Sequence, residues 1–157
     1  MQAGIVFPNQ LFEKIPFSES CKDIYLVEEH LFFKQYPFNK QKLAYHRASM
    51  KFYAHYLAAQ GRKVHYADSA HDEADVRVLI EGLAQKGVRK LETIDVADNW
   101  LWKRIRQAAG KHGIIIWDEP VCRWRLDVNQ AIHQRKQLPD EDEQLSEREL
   151  AANMECL

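Results

Sequence analysis

The chain has 157 residues, of which 46% are hydrophobic and 29% charged, the composition of an ordinary folded domain rather than a fibrous or wholly disordered chain. Its 22 Lys+Arg and 23 Asp+Glu are unevenly spread: residues 1–137 hold 21 basic and 16 acidic side chains, and residues 138–157 hold 1 and 7. A mildly basic body thus precedes an acidic end, and the body is not basic enough to announce a nucleic-acid binder. Cys21, Cys122 and Cys156 are scattered and form no CxxC pair, which argues against a disulfide scaffold or a zinc knuckle. Met1 to Gln10 has no basic leader and reads as no signal peptide. No apolar stretch approaches the roughly 18 residues a membrane span requires, so a reducing cytoplasm is the expected home.

Along the chain, short apolar runs alternate with helical patterns. Ala3 to Phe7 reads as a first strand, stopped by Pro8-Asn9, and Asp23 to Val27 as a second, ended by Glu28-Glu29-His30. Phe38 to Ala59 has helical spacing, with Leu43, Met50, Ala54 and Leu57 on the apolar face, His46 or Arg47 in the remaining turn, and Gly61 as the C-cap. Lys63 to Ala67 is a third, less apolar strand. A helix over Asp75 to Gln85 follows, turning Val76, Leu79, Ile80 and Leu83 inward. Lys90 to Ile94 is the fourth strand. The next helix covers Asn99 to Ala109, with Leu101, Ile105 and Ala108 inward, Asp98 as N-cap and Gly110 as stop. Ile114 to Trp117 is the fifth and most hydrophobic strand, with Ile115 and Trp117 expected in the core. Val121 to Arg135 has room for one more helix, and Ser146 for the cap of a short terminal one.

Strands of about five residues separated by helices are βαβ units. Right-handed crossovers make the sheet parallel and cover both faces. The expected architecture is therefore α/β, a doubly wound five-stranded parallel sheet of order 3-2-1-4-5. That order reverses winding between the first and fourth strands and opens a crevice at their carboxyl ends, the usual ligand position in such sheets. Pro8, Asn9 and Gln10, then Glu28 and Glu29, then Asp95, Val96, Ala97 and Asp98 would line it.

No GxGxxG follows the first strand and no GxxxxGK[ST] occurs anywhere, which argues against a dehydrogenase or a P-loop NTPase. The amides of Asn9 and Gln10 suit the edge of a flat heterocycle, or equally the loop's own backbone. A carboxylate at Glu28 suits a ribityl hydroxyl or a ring N–H, or plain solvent. Leu31 to Lys42 packs Phe32, Phe33, Tyr36 and Phe38 among Lys34, Lys40 and Lys42. It reads as a loop packed by its own aromatics, as a lid over a flat aromatic ligand, or as part of an interface with another domain. Trp100 and Trp102, two apart on a helix, must face different ways. Trp124, between Arg123 and Arg125, suits an interface or packing onto the body. His30 has no second ligand at a metal-site spacing, His46 reads as a packing residue, and no GxSxG elbow accompanies Ser49, so neither a metal site nor a hydrolytic triad is expected.

One resemblance is carried by specific residues. The stretch from Val27 through Glu28-Glu29-His30-Leu31-Phe32-Phe33-Lys34-Gln35-Tyr36-Pro37-Phe38-Asn39-Lys40-Gln41-Lys42-Leu43 to His46-Arg47-Ala48-Ser49-Met50, together with Phe7-Pro8-Asn9-Gln10-Leu11, resembles the amino-terminal region of the deoxyribodipyrimidine photolyase-related proteins. These are bacterial iron–sulfur cryptochromes and photolyases; in them Asp often stands where Asn9 stands here. The resemblance covers about residues 1–125, more loosely from Asp95 to Trp100. It implies a photolyase N-terminal-domain-like fold, an antenna domain that holds a ribityl-lumazine or deazaflavin pigment and passes excitation to FAD. By the same resemblance the pigment would meet Asn9, Gln10, Glu28, Tyr36, Lys40, Val96 and Ala97.

The family's repair chemistry uses a large helical domain with FAD and an iron–sulfur cluster, and 157 residues with three scattered cysteines leave no room for it. Residues 1–125 are therefore expected to form an α/β antenna-like domain, and residues 126–157 a helical or partly disordered acidic tail. No catalytic residue, metal, FAD or iron–sulfur cluster is expected in this chain, nor photolyase activity or DNA binding by it alone. A separate FAD-binding helical domain is the implied partner, and a homodimer is a second expectation. The alternatives are a non-catalytic interaction domain with a degenerate pocket and a small nucleotide-binding enzyme.

Overall fold

In a computed structural model, described over residues 1–119, the chain forms a five-stranded parallel sheet of order β3-β2-β1-β4-β5. The strands are β1 (Gln2–Val6), β2 (Asp23–Val27), β3 (Lys63–Ala67), β4 (Lys90–Ile94) and β5 (Ile115–Glu119). Four α-helices connect them: α1 (His30–Phe33), α2 (Lys40–Ala59), α3 (Val76–Gln85) and α4 (Asn99–His112), with a 3₁₀ turn at Asp72–Ala74. This is the order expected from alternation and right-handed crossovers. The expectations for Val121 to Arg135, for Trp124, for the domain boundary at 125 and for the tail lie outside the described residues.

Period-2 alternation sorts the strand residues between two layers. Ala3, Ile5 and Phe7 of β1 and the loop after it, Tyr25 and Val27 of β2, and Leu91 of β4 join Val76, Leu79, Ile80 and Leu83 of α3 and Leu101, Ile105 and Ala109 of α4 in one buried cluster. The alternate positions Val6, Ile24 and Leu26 face the other way, with Met50, Tyr53 and Leu57 of α2 buried on that side. The loop over residues 8–22 covers the rest of this face near β1. Phe17 lies so close above Gly4 that a Cβ there would overlap its ring. The Ser18 N–H and hydroxyl donate to buried Glu92 at 2.9 and 2.6 Å, and Lys90 pairs with the same carboxylate at 2.8 Å.

The helix ends follow their sequence signals. Asn39, Asp75 and Asp98 accept from Gln41, Arg77 and Leu101 N–H groups as N-caps. The stop expected at Gly110 moves three residues: α4 runs through Gly110 and ends at Gly113, whose φ of +64° supplies the left-handed turn that a C-cap needs. α2 starts at Lys40 rather than Phe38, because the Asn39 side chain caps it there.

The fifth strand corrects an expectation. Ile115 and Trp117 keep 69% and 53% of their surface exposed, so neither is a core residue. In register, Ile115 lies beside Lys90 and Trp117 beside Glu92 on the α2 side of the sheet, while α2 itself packs toward β3 at the opposite edge. Ile114 carries the burial instead, at 5% exposure. Ile115→Ala is accordingly expected to cost under about 1 kcal/mol, whereas Leu26→Ala, at a fully buried position, costs about 2–5 kcal/mol. Chemical denaturation of the two variants side by side checks this; equal losses would contradict the burial assignment.

Candidate site at the carboxyl ends of the strands

Pairing between β1 and β4 runs only from Gln2–Lys90 to Gly4–Glu92. Beyond it the two strands part, as the reversal of winding requires. Gln10 occupies the gap. Its Oε1 accepts the Phe7 N–H at 3.0 Å, and its Nε2 donates to the Ile94 carbonyl. The side chain is 4% exposed, so it serves as a stitch between the ends of β1 and β4. Asn9 in the same turn is exposed.

Glu28 and Glu29 are neighbours with opposite surroundings, because successive residues leaving β2 point to opposite faces. Glu28 turns toward α2. It accepts from Arg47 Nε and Nη2 at 2.8 and 2.5 Å, from the Tyr66 hydroxyl at 2.6 Å and from the Ser69 N–H at 3.0 Å. Burial works to raise its pKa, but the hydrogen bonds from Arg47, Tyr66 and Ser69 outweigh it and hold the carboxyl at about 2. Glu29 turns toward α3 and α4. It accepts the Val76 N–H at 2.9 Å, and Arg104 stands 3.5 Å away. Burial dominates here, with the charge of Asp75 adding to it, and the carboxyl is pushed up to about 7.

The remaining expected site residues lie in the connections that follow β2 and β4. Tyr36 is 62% exposed and meets Phe38 edge-on, with ring centres 6.0 Å apart. Lys42 lies over the Phe38 ring at 5.8 Å. Lys40 is the exposed first residue of α2. In the turn after β4, Val96 is 9% exposed and Ala97 is exposed, and Asp95 takes a φ of +26°. Thus Asn9, Gln10, Val96 and Ala97 belong to the two turns at the parting of β1 and β4. Glu28 lies at the end of β2, and Tyr36 and Lys40 belong to the connection leading into α2.

Sequence reasoning missed the partners. Arg47, Tyr66 and Ser69 carried no signal of a role around Glu28, because they come from α2, β3 and the turn after it. Arg47 also lies over Phe33 at 5.9 Å and so ties α1 to α2. Two more cations are committed within the protein: Lys51 lies over the Tyr66 ring, and Arg62 donates to the Ser18 carbonyl at 3.1 Å. Among the described residues no group of three or more His, Cys, Asp or Glu is placed to hold a metal ion, and no helix is long and apolar enough to cross a membrane. Cys21 is buried, and burial pushes its thiol up to about 12, out of reach of thiolate chemistry.

The family model for deoxyribodipyrimidine photo-lyase-related proteins matches residues 4–142. The chain belongs to this family. A curated relative, uncharacterized protein R852 of Acanthamoeba polyphaga mimivirus, is 33% identical over 127 residues, which cover 74% of this chain. The matched part spans 63% of that relative's length. The match and the strand order together make this a photolyase-related α/β domain of antenna type.

Proposed function

We propose that this photolyase-related domain is a non-catalytic pigment holder. It would bind a flat, riboflavin-related heterocycle, a ribityl-lumazine or a deazaflavin, over the carboxyl ends of β1, β2 and β4. A flavin held by a helical domain outside the chain would receive the excitation. The family match over residues 4–142 carries this reading. Supporting it, the parting of β1 and β4 puts two turns with exposed faces, at Asn9 and Ala97, where open α/β sheets hold ligands.

The division of labour follows from burial. Gln10 and Glu28 have their polar atoms committed within the protein, so they are positioning residues that fix the turns from beneath. Asn9, Tyr36 and Lys40 are exposed and have groups to offer: an amide, an aromatic ring and an ammonium group. Val96 is 9% exposed and packs into the core cluster beneath the turn after β4.

Tyr36→Ala and Lys40→Ala are each expected to weaken lumazine or deazaflavin binding by about tenfold, the worth of one stacking or charge-assisted contact. Both should leave the urea midpoint unchanged, because neither side chain is buried. Fluorescence anisotropy reads the affinity and circular dichroism the stability. Unchanged affinity in both variants would remove these residues from the site.

A further inference from the structure

α4 carries positive charge without compensation. Its 14 residues include Lys103, Arg104, Arg106 and Lys111 and no Asp or Glu. Arg104 turns inward, to within 3.5 Å of Glu29. Lys103, Arg106 and Lys111 are exposed, and among the described residues no carboxylate stands within ion-pair distance of them. The body as a whole is only mildly basic, but this helix gathers cations on one face, where their fields add.

Two tryptophans accompany those cations. Trp100 is 72% exposed, and Lys103 lies over its ring at 5.5 Å. Trp102 is half-buried against the core, and Arg106 lies over its ring at 6.0 Å. An indole has two faces, so the Lys103 contact on one leaves the other face of Trp100 to stack on a flat group. At helical spacing Asn99, Lys103, Arg106 and Gly110 form one exposed stripe, with Trp100 and Gln107 beside it. A Cβ at Gly110 would meet nothing within 4 Å, so packing does not call for glycine there. Its effect is to keep that part of the stripe low enough for another backbone to approach.

We propose that the outer face of α4 binds a single-stranded nucleic acid, with a base stacked on Trp100 and the neighbouring phosphates met by Lys103 and Arg106. Uncompensated cations beside an open aromatic face are what such a strand requires, since every base has a face to stack and every link carries a charge. Asn99 and Gln107 add amide groups that donate to phosphate or sugar oxygens. An acidic protein segment would satisfy the cations and leave the indole unused. A membrane surface would need the apolar face of the helix, and Leu101, Ile105, Ala108 and Ala109 of that face are buried in the domain. A duplex keeps its bases stacked on one another and offers this face only phosphates.

Lys103 and Lys111 are about 12 Å apart along the helix axis, the reach of a few nucleotides. Lys111 contributes less than the other two, because it shares the groove between α3 and α4 with Glu81. Two to three phosphate contacts give a weak, salt-sensitive affinity, with a Kd of about 10–100 µM and about a tenfold loss between about 50 and 200 mM salt. This inference is independent of the pigment reading.

Fluorescence anisotropy of labelled oligothymidylate and oligouridylate, each of about twelve nucleotides, titrated with the full 157-residue chain, tests it. The expected result is binding of either strand or of both, the two arms showing whether the sugar matters. Trp100→Ala should weaken it by about tenfold, and Lys103→Glu with Arg106→Glu by about tenfold or more. Thermal midpoints should not change, because all three side chains are exposed. An abasic strand of the same length should bind about tenfold more weakly and no longer distinguish Trp100→Ala from wild type. A chain that binds neither strand at about 50 mM salt would overturn the proposal. Equal affinity of wild type and Trp100→Ala for the intact strands would do the same, as would tighter, Trp100-dependent binding to phosphatidylserine vesicles.

Discussion

Replacing Glu28 with alanine is expected to cost the fold about 2–4 kcal/mol, because a buried charge partner is removed and four donor groups of Arg47, Tyr66 and Ser69 are left behind. The Arg47 side chain is 42% exposed, so water recovers part of its loss, which keeps the figure below that for a wholly buried pair. The Ser69 N–H and the Tyr66 hydroxyl have less access to water. Glu28→Gln retains an acceptor for these two and should lose less than Glu28→Ala. Urea midpoints at neutral pH measure both. The carboxyl at about 2 adds a pH signature: a pKa held below its ordinary 4.5 stabilises the fold fully above 4.5 and loses that contribution as pH falls toward 2. A loss from Glu28→Ala below about 0.5 kcal/mol would contradict the buried network.

Glu29→Gln should do the opposite and stabilise the protein at pH 8, by about 1–3 kcal/mol. A carboxyl raised to about 7 binds its proton more readily folded than unfolded. Its contribution is therefore best below the ordinary 4.5 and becomes a cost as pH rises through 7. Glutamine remains neutral and still accepts the Val76 N–H, so the variant avoids that cost. The gain over wild type should shrink steadily from pH 8 to pH 5. Arg104, 3.5 Å from the carboxylate, Asp75 at the N-cap of α3, and Arg77 beside it are the charges around this group. A variant less stable than wild type at pH 8 would show that the Arg104 contact outweighs burial.

These two neighbours show what the sequence conveyed and where it stopped. The end of β2 and the polar pair after it were legible, since five β-rich residues followed by Glu-Glu-His mark a strand and its loop. Strands β2, β3 and β4 fall where their apolar runs end, and the order follows from chirality alone. The fates of Glu28 and Glu29 were not legible, because they depend on groups 19 to 75 residues away. Gln10 is the same case: its residue type and turn were visible, but its bond to Ile94 spans 84 residues. The burial of β5 was misjudged because hydrophobicity does not reveal which strand is at an edge. Tyr53 went unnoticed in the core of α2 because the helix has weak amphipathic contrast and buries a hydroxyl-bearing ring whose oxygen is satisfied by the Phe12 carbonyl.

The pigment-holder reading meets its most direct test in titration of the full chain with a ribityl-lumazine, a deazaflavin and FMN, followed by anisotropy and by the ligand's absorption band. The expected result is micromolar or tighter binding of the lumazine or the deazaflavin, with affinity reduced by Tyr36→Ala or Lys40→Ala. Absence of binding for all three by a folded chain would contradict it and leave the domain as a scaffold.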